Sequence, residues 1–229
     1  MPAFDLERYR SPFVAGRAQQ IEALLPDGGG DDALELGCGP GHFTRLLRAR
    51  RWKPTSVDLE PAHLESAAVA AEATLLGDVL EVAKSLPAGR FGLVLALEII
   101  EHLALPGGVE LLAHAHRVLR DGGWLVLSTP NRWSLEGLMG YYVEEKLRRG
   151  ERWQAWDPSH LHVYSSREIL ALARRAGFSI EAVRGYWYAT EIPRLGRVRL
   201  PLQASARAPL NRLGFNVAFR ARKREPAAR

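Results

Sequence analysis

Short apolar runs alternate with amphipathic segments along the first 130 residues of this 229-residue chain. Runs such as "FGLVLAL" (91–97) and "GWLVLSTP" (123–130) predict buried strands, because a parallel strand that is covered on both faces is apolar throughout. Segments such as "GVELLAHAHRVLR" (108–120) instead place apolar residues at helical spacing. Strands that alternate with helices predict βαβ units and therefore a doubly wound α/β fold.

The same rhythm assigns the other elements before Pro130. We predict strands over 33–36, 54–59 and 74–78, and helices over 12–26, 42–51, 62–73 and 79–86. After Pro130, residues 131–160 bring five aromatic residues among charges, which predicts a lid-like insertion. A helix capped by Ser165 or Ser166, a strand from Ser179, an irregular basic insertion over 187–213 and a last strand over 215–223 follow.

Length and composition favour a single α/β domain that spans residues 1–229, with a helical segment over 1–30 at its start. The chain is 47% hydrophobic and 25% charged, as in ordinary globular proteins, and no apolar run approaches the ~18 residues of a membrane span. Residues 1–10 are charged, and Cys38 is the single cysteine. We therefore expect a cytoplasmic, reducing environment.

Charge is unevenly distributed, although the net charge is only +5. Residues 194–229 carry ten Lys and Arg residues and one acid, whereas the first 193 residues are net negative. Such a tail could contact nucleic acid or an anionic membrane surface, but it could equally be a solvated end. We favour the solvated end.

A glycine-rich loop, "ELGCGPGHF" (35–43), follows the first predicted strand. Glycines at 37, 39 and 41 let the backbone approach a ligand closely at the start of a helix. Carboxylates stand at or near the ends of three successive strands, namely Glu35, Asp58 and Asp78. Because an acid about 20 residues beyond such a loop commonly binds ribose hydroxyls, the pattern predicts an adenosine that carries an amino-acid tail.

These segments together resemble the successive motifs of class I S-adenosylmethionine-dependent methyltransferases. The resemblance covers about residues 30–135 through "LELGCGPGHFTRLL", "SVDLEPAHLESA", "LALEIIEHL" and "VLRDGGWLVLSTPNR", with "HVYSSREILALARRAGF" resembling the later part. It implies a Rossmann-like, seven-stranded, mostly parallel sheet whose last strand is antiparallel. It also implies S-adenosyl-L-methionine as cofactor and S-adenosyl-L-homocysteine as product. Gly92 departs from the aspartate that the family commonly has there.

The same resemblance assigns site residues by position. It places the methionine moiety against the glycine loop, the ribose on the second strand's end, the adenine after the third strand and the methyl group at the fourth. The cofactor residues so implied are Glu35, Gly37, Cys38, Gly39, Gly41, Asp58, Leu59, Asp78, Val79 and Leu97.

The stretch "EIIEH" adds Glu98, Glu101 and His102 at the end of the fourth strand. If a helix covers 98–105, the three side chains share one face, and the two carboxylates repel each other. The stretch resembles the E-x-x-E-H arrangement of metal-assisted O-methyltransferases, including small-RNA 2′-O-methyltransferases and ubiquinone-pathway enzymes, in which a later histidine completes the set. His160 and His162 are the candidates here. The alternative, which we favour, is a metal-free site where His102 and Glu98 are catalytic.

The aromatic residues of the predicted lid indicate what kind of molecule accepts the methyl group. Aromatic residues with little excess charge suit a hydrophobic or aromatic small molecule better than a long polyanion. We therefore predict a methyltransferase that acts on oxygen of such a molecule. The alternatives are an RNA or protein methyltransferase, which the basic tail would serve, and a non-catalytic adenosyl-binding regulatory protein.

Overall fold

The computed structural model describes residues 12–134, 137–138, 142, 154–155, 157–186, 191–192, 196–197 and 206–224. Residues 1–11, most of the predicted lid, most of the basic insertion and residues 225–229 therefore lie outside the described part. The lid aromatics Tyr141, Trp153 and Trp156 belong to this group.

The described residues form a sheet of seven strands. These are β1 Asp32–Leu36, β2 Lys53–Asp58, β3 Ala73–Leu76, β4 Phe91–Leu97, β5 Leu119–Pro130, β6 Phe178–Tyr186 and β7 Asn216–Lys223. They lie in the order β3-β2-β1-β4-β5-β7-β6. Strand β7 is antiparallel to β5 and β6, and every other neighbouring pair is parallel, which confirms the predicted fold class. A two-residue ribbon pairs Glu191–Ile192 with Gly196–Arg197.

Helices connect these strands in the predicted alternation. Ser165 caps the last of them through a capping box with Glu168, because the serine hydroxyl accepts from the Glu168 N–H while the glutamate carboxylate accepts from the Ser165 N–H. Short 3-10 turns cover Ile100–His102 and Leu210–Arg212. The helices are α1 Pro12–Glu22, α2 His42–Ala49, α3 Pro61–Ala67, α4 Val79–Ser85, α5 Leu105–Val118 and α6 Ser166–Arg175.

Several predicted boundaries are wrong. The helix predicted over 62–73 ends at Ala67, because the chain must reverse before Ala73 pairs with Thr55 in the parallel ladder. Helix α5 begins at Leu105 rather than at 108, since Pro106 fits the first helical turn, where its missing N–H costs nothing. That helix ends at Val118, and β5 begins at once with Leu119 rather than at 123.

Two apolar layers cover the sheet. Along β4, Val94 and Ala96 pack into a cluster with α4, α5 and α6, whereas Leu93 and Leu95 pack on the opposite face with α1 and α2. This double burial explains why β4 is apolar at every position. Among the described residues, no helix has the length and apolar character that crossing a membrane requires.

Candidate functional site

A cavity of about 250 Å³ lies at the carboxyl ends of β1, β2 and β4. The strand order reverses between β1 and β4, and ligands of open α/β sheets bind at such a switch point. The cavity therefore brings together the glycine loop, Asp58 and residues of the stretch 97–102, which the sequence predicted as separate motifs. Its lining comprises Arg17, Glu35, Leu36, Gly37, Cys38, Gly39, Pro40, His42, Phe43, Asp58, Leu97, Glu98, Ile99 and His102.

The glycine loop turns sharply between β1 and α2. Gly37, Gly39 and Gly41 all have positive φ angles, of 74°, 51° and 78°. A Cβ at Gly41 would lie 2.6 Å from the Cα of Ala67, so the loop can pack against α3 only with glycine there. Between the glycines, burial raises the pKa of the Cys38 thiol, which favours the unreactive protonated form.

Glu35 is a buried carboxylate at the floor of the cavity, only 3% exposed. Its Oε2 accepts hydrogen bonds from Thr44 Oγ1 at 2.5 Å and from Ser56 Oγ at 3.1 Å. Burial raises the pKa of Glu35 to about 7, although both hydrogen bonds lower it. A cation in the cavity would favour the ionised form and bind to it strongly.

Asp58 ends β2 with its carboxylate fixed by the loops on either side. Oδ2 accepts from the Gly39 N–H at 2.8 Å, and Oδ1 accepts from the Glu60 N–H at 3.0 Å. His63 Nδ1 also lies 3.0 Å from Oδ1. The carboxylate is therefore oriented toward the loop before any ligand binds.

The residues predicted for adenine do not line this cavity. Asp78 caps α4, accepting from the N–H groups of Leu80 at 2.8 Å and Glu81 at 3.3 Å. Val79 is buried in the core, whereas Leu59 is 68% exposed beside Asp58. Their adenine-binding role thus stays a prediction.

Arg17 is a cavity residue that sequence reasoning missed. It comes from α1, and its Nη1 lies 3.5 Å from Glu98 Oε2. Nothing in the sequence distinguishes this arginine from the other basic residues, because the contact joins residues 81 positions apart. The structure therefore adds a guanidinium group to a site for which the sequence predicted no arginine or lysine.

Glu98 does not begin a helix, so the predicted helical face over 98–105 is wrong. Its backbone has a φ of 51°, and its N–H donates to Ser128 O at 3.0 Å, which extends the pairing with β5. Its carboxylate accepts from Ser128 Oγ at 2.6 Å and from Asn216 Nδ2 at 2.5 Å. These bonds and the ion pair with Arg17 hold the carboxylate between α1, β5 and β7.

Glu101 is fully buried in the 3-10 turn that also carries His102. Its Oε2 accepts from Thr129 Oγ1 at 3.1 Å, whereas its Oε1 has no hydrogen-bond partner among the described residues. Burial raises the pKa of Glu101 well above its usual value, and the nearby charge of Glu98 raises it further. Without a cation, this environment therefore favours the protonated form of Glu101.

Two histidines complete a group with Glu101. The rings of His102 and His160 lie 4.8 Å apart, and His160 Nδ1–H donates to Gln154 O at 2.7 Å. Burial lowers the pKa of His160, which favours the neutral ring. One potential ligand atom from each of Glu101, His102 and His160 lies within 4.8 Å of the others.

The other two predicted metal ligands lie outside this group. His162 Nε2 is 2.9 Å from Glu168 Oε1, the carboxylate of the α6 capping box. Glu98 is held by Ser128, Asn216 and Arg17, as described above. Of the set predicted from sequence, the structure thus brings together three residues and separates two.

A second cavity, of about 340 Å³, follows the end of β5. Its lining includes Arg132, Trp133, Leu138 and Tyr142. Trp133 is 41% exposed, so its indole ring is available to a ligand. The described part of the predicted lid thus offers aromatic and apolar surface together with one guanidinium group.

The basic side chains of β7 do not line either cavity, although Asn216 at the start of this strand bonds to Glu98. Arg222 pairs with Trp124, at the opposite end of β5 from Pro130, and its guanidinium stacks over the indole ring. Arg220 bonds to Glu181 at 3.0 Å, and Lys223 Nζ donates to Leu119 O at 2.7 Å. These cations therefore stabilise the far edge of the sheet.

Comparison with known proteins identifies similar chains. A family model described as a methyltransferase domain matches residues 6–183. The ubiquinone biosynthesis O-methyltransferase of Psychrobacter arcticus is 28% identical over 69% of this chain and 63% of its own. The malonyl-[acyl-carrier protein] O-methyltransferase of Serratia marcescens is 33% identical over 56% of this chain and 45% of its own. The chain thus spans less than two thirds of either relative.

Solved structures share the fold at lower identity. A SAM-dependent methyltransferase from Archaeoglobus fulgidus superposes with a TM-score of 0.67 at 20% identity, covering 95% of this chain and 97% of its own. The N-methyltransferase NodS from Bradyrhizobium japonicum, in complex with S-adenosyl-L-homocysteine, gives 0.63 at 16% identity, with 97% and 94% coverage. At these identities the likeness concerns the fold alone.

Proposed function

Since the chain belongs to the methyltransferase domain family, we propose that it transfers the methyl group of S-adenosylmethionine to an oxygen atom of a small hydrophobic or aromatic molecule. The observation that carries this proposal is one cavity in which the glycine loop, Glu35, Asp58 and His102 meet. We further propose that residues 1–229 form one catalytic domain that acts in the cytoplasm.

The cavity residues fit the amino-acid end of the cofactor. A buried carboxylate suits an ammonium group, so we assign Glu35 to the cofactor's amine. Arg17 supplies a guanidinium for the cofactor's carboxylate. The glycine loop, with Gly37, Cys38, Gly39 and Gly41, lets the protein backbone lie close to the carbon chain that links these two groups to the cofactor's sulfur.

The nucleoside end is assigned by the same logic. Asp58 faces the cavity and accepts hydrogen bonds, as the ribose hydroxyls require. We assign the adenine to the surface beside it, near Leu59, Asp78 and Val79. Exposed Leu59 would there cover one face of the base.

Transfer requires positioning, exclusion of water and removal of a proton from the acceptor. S-adenosylmethionine supplies an electrophilic methyl group on a sulfonium: the acceptor oxygen bonds to that carbon as the C–S bond breaks, and the electron pair stays on sulfur. We assign His102 as the base that takes the acceptor's proton. Leu97 provides an apolar wall. Glu98 contacts the same cavity, but its bonds to Ser128, Asn216 and Arg17 favour a positioning role over proton transfer.

A divalent metal also fits this site. Glu101, His102 and His160 would hold it, and the ion would satisfy the buried Glu101 Oε1 that lacks a partner among the described residues. One carboxylate and two imidazoles suit Zn²⁺ or Mn²⁺ better than Mg²⁺. Such an ion would lower the pKa of an acceptor hydroxyl. The metal-free proposal instead has protonated Glu101 beneath His102.

Two observations support the acceptor class. The similar ubiquinone-pathway and malonyl-carrier enzymes are named as O-methyltransferases. The second cavity presents Trp133, Tyr142 and Arg132, which suit a planar or apolar acceptor with an anionic group. The basic side chains of β7, by contrast, lie at the opposite sheet edge and contact protein groups, which does not favour RNA as acceptor.

A labelled-methyl assay tests this function. Wild-type protein, His102→Gln and the control His114→Gln would be assayed with pools of phenols, small carboxylic acids and RNA, each with and without chelator. His114 lies on α5, bonds to Glu110 and does not line the cavity. We expect transfer to small molecules, with a loss of roughly 10²- to 10⁴-fold in His102→Gln alone.

Each other outcome has a defined meaning. Transfer to RNA alone would favour the nucleic-acid alternative. Cofactor binding without any transfer would favour the regulatory alternative. Loss of activity with chelator, restored by Zn²⁺ or Mn²⁺, would establish the metal.

A further inference from the structure

The loop over residues 157–162 packs directly against the turn that carries His102. The N–H groups of Leu161 and His162 donate to Glu101 O at 2.8 and 3.1 Å. His160 Nδ1–H also donates to Gln154 O, which ties the loop to the chain that precedes it. Asp157 and Ser159 are therefore held at fixed positions beside His102.

A chain of hydrogen bonds runs from this loop to the imidazole ring. Ser159 Oγ lies 2.6 Å from Asp157 Oδ1 and 3.0 Å from His102 Nδ1. The Ser159 N–H also donates to Asp157 Oδ1, at 2.9 Å. Asp157 Oδ1 therefore accepts from both the backbone N–H and the hydroxyl of Ser159.

The direction of each bond follows from proton counting. The Ser159 hydroxyl donates its single proton to Asp157 Oδ1, at the shorter of its two contacts. The hydroxyl oxygen can then only accept at its contact with His102. The proton of a neutral His102 ring must accordingly sit on Nδ1, which leaves the lone pair on Nε2.

We propose that Asp157 and Ser159 are positioning residues that fix His102 in its Nδ1–H tautomer and keep Nε2 as the unprotonated nitrogen. The inference deepens the proposed function and rests on it, because His102 acts there through a lone pair. His102 lines the cofactor cavity, while Ser159 binds the opposite nitrogen from outside that lining. Without this pair, neither of the two nitrogens would be selected in advance.

Nuclear magnetic resonance of ¹⁵N-histidine-labelled protein tests the tautomer directly, because protonated and unprotonated ring nitrogens resonate far apart. Spectra would be recorded with chelator at alkaline pH, where the ring is neutral, and His102→Gln would assign the signal. We expect Nδ1–H in wild type and a shift toward the Nε2–H form in Ser159→Ala. Ser159 is exposed, so this variant should fold normally.

Two further variants sharpen the comparison. Ser159→Thr retains the hydroxyl and should retain the wild-type tautomer. Ser85→Ala removes an exposed hydroxyl that donates to Val82 O within α4 and should leave the His102 signal unchanged. With an acceptor found in the labelled-methyl assay, Ser159→Ala should lower kcat by roughly 10-fold without changing the KM for the cofactor, and Ser159→Thr should restore it.

The outcomes separate this inference from the proposed function. A wild-type His102 in the Nε2–H form, or a tautomer unchanged in Ser159→Ala, would overturn the positioning pair even if methyl transfer occurs. An Nδ1–H ring in a protein that binds the cofactor but transfers no methyl group would contradict the function while supporting the tautomer assignment.

Discussion

Replacing Glu35 by Gln should stabilise the cofactor-free protein at neutral and alkaline pH. Burial raises the pKa of this carboxyl from 4.5 to about 7. Because the folded pKa lies above the unfolded one, the folded state holds more protons between these values, and stability falls as the pH rises through that window. At about 1.4 kcal/mol per pH unit, the loss amounts to about 3 kcal/mol above pH 7.

Glutamine removes this loss because it stays neutral. Its amide oxygen can accept from Thr44 and Ser56, and its amide nitrogen can face the cavity. Urea denaturation at about pH 5 and about pH 8 would measure the effect. We expect Glu35→Gln to gain about 2–3 kcal/mol relative to wild type between these pH values.

A matched control is Glu72→Gln, which alters an exposed carboxylate paired with Arg48. Its free energy of unfolding should differ from that of wild type by nearly the same small amount at both pH values, because exposed ion pairs contribute about 0–1 kcal/mol. If the free energy of unfolding of Glu35→Gln differed from that of wild type by the same amount at both pH values, ionisation of the buried Glu35 would not destabilise the protein, and the reasoning would be refuted. The same variant should bind S-adenosylmethionine more weakly than wild type, since it lacks the carboxylate assigned to the amine.

Three further changes test separate parts of the structure. Gly41→Ala should destabilise the protein by more than about 2 kcal/mol in urea denaturation, because it adds a clash with Ala67 to an unfavourable φ. Gly89→Ala, with a φ of 67° and open space around it, should lose only about 1–2 kcal/mol; equal losses would exclude the clash. Arg17→Ala should weaken cofactor binding roughly 10-fold in calorimetry, and unchanged affinity would remove Arg17 from the carboxylate site. Arg222→Ala should leave methyl transfer unaltered, whereas a loss would implicate the far sheet edge.

The strand and helix pattern was predictable at the centre of the sheet, because β1, β4 and most of β5 are buried on both faces, whereas β3 is largely exposed. The run over 91–97 is apolar at every position, and β4 has those same bounds. The cavity's acids and glycines were predictable too, since parallel strands bring their carboxyl ends to one edge. The alanine-rich run after α3 misled the prediction, because helix propensity says nothing about where the next strand must pair.

Contacts between distant residues could not be predicted from local pattern. Glu98 was expected on a helix, but Ser128 and Asn216 hold its carboxylate from strands 30 and 118 residues away. Ser159 likewise contacts His102 across 57 residues. Such pairs depend on how the loops close over the sheet, and neither serine carries a sequence signal of its own.

Calorimetric titration with S-adenosylmethionine tests the central claim most directly. The account predicts that wild-type protein binds the cofactor, and that Asp58→Ala, with its fold checked by circular dichroism, binds at least roughly 10-fold more weakly. Asp32→Ala, which removes a carboxylate paired with Arg90 at the opposite end of β1, should bind like wild type. Absence of binding to wild type, or equal binding to Asp58→Ala, would contradict the assignment of this cavity.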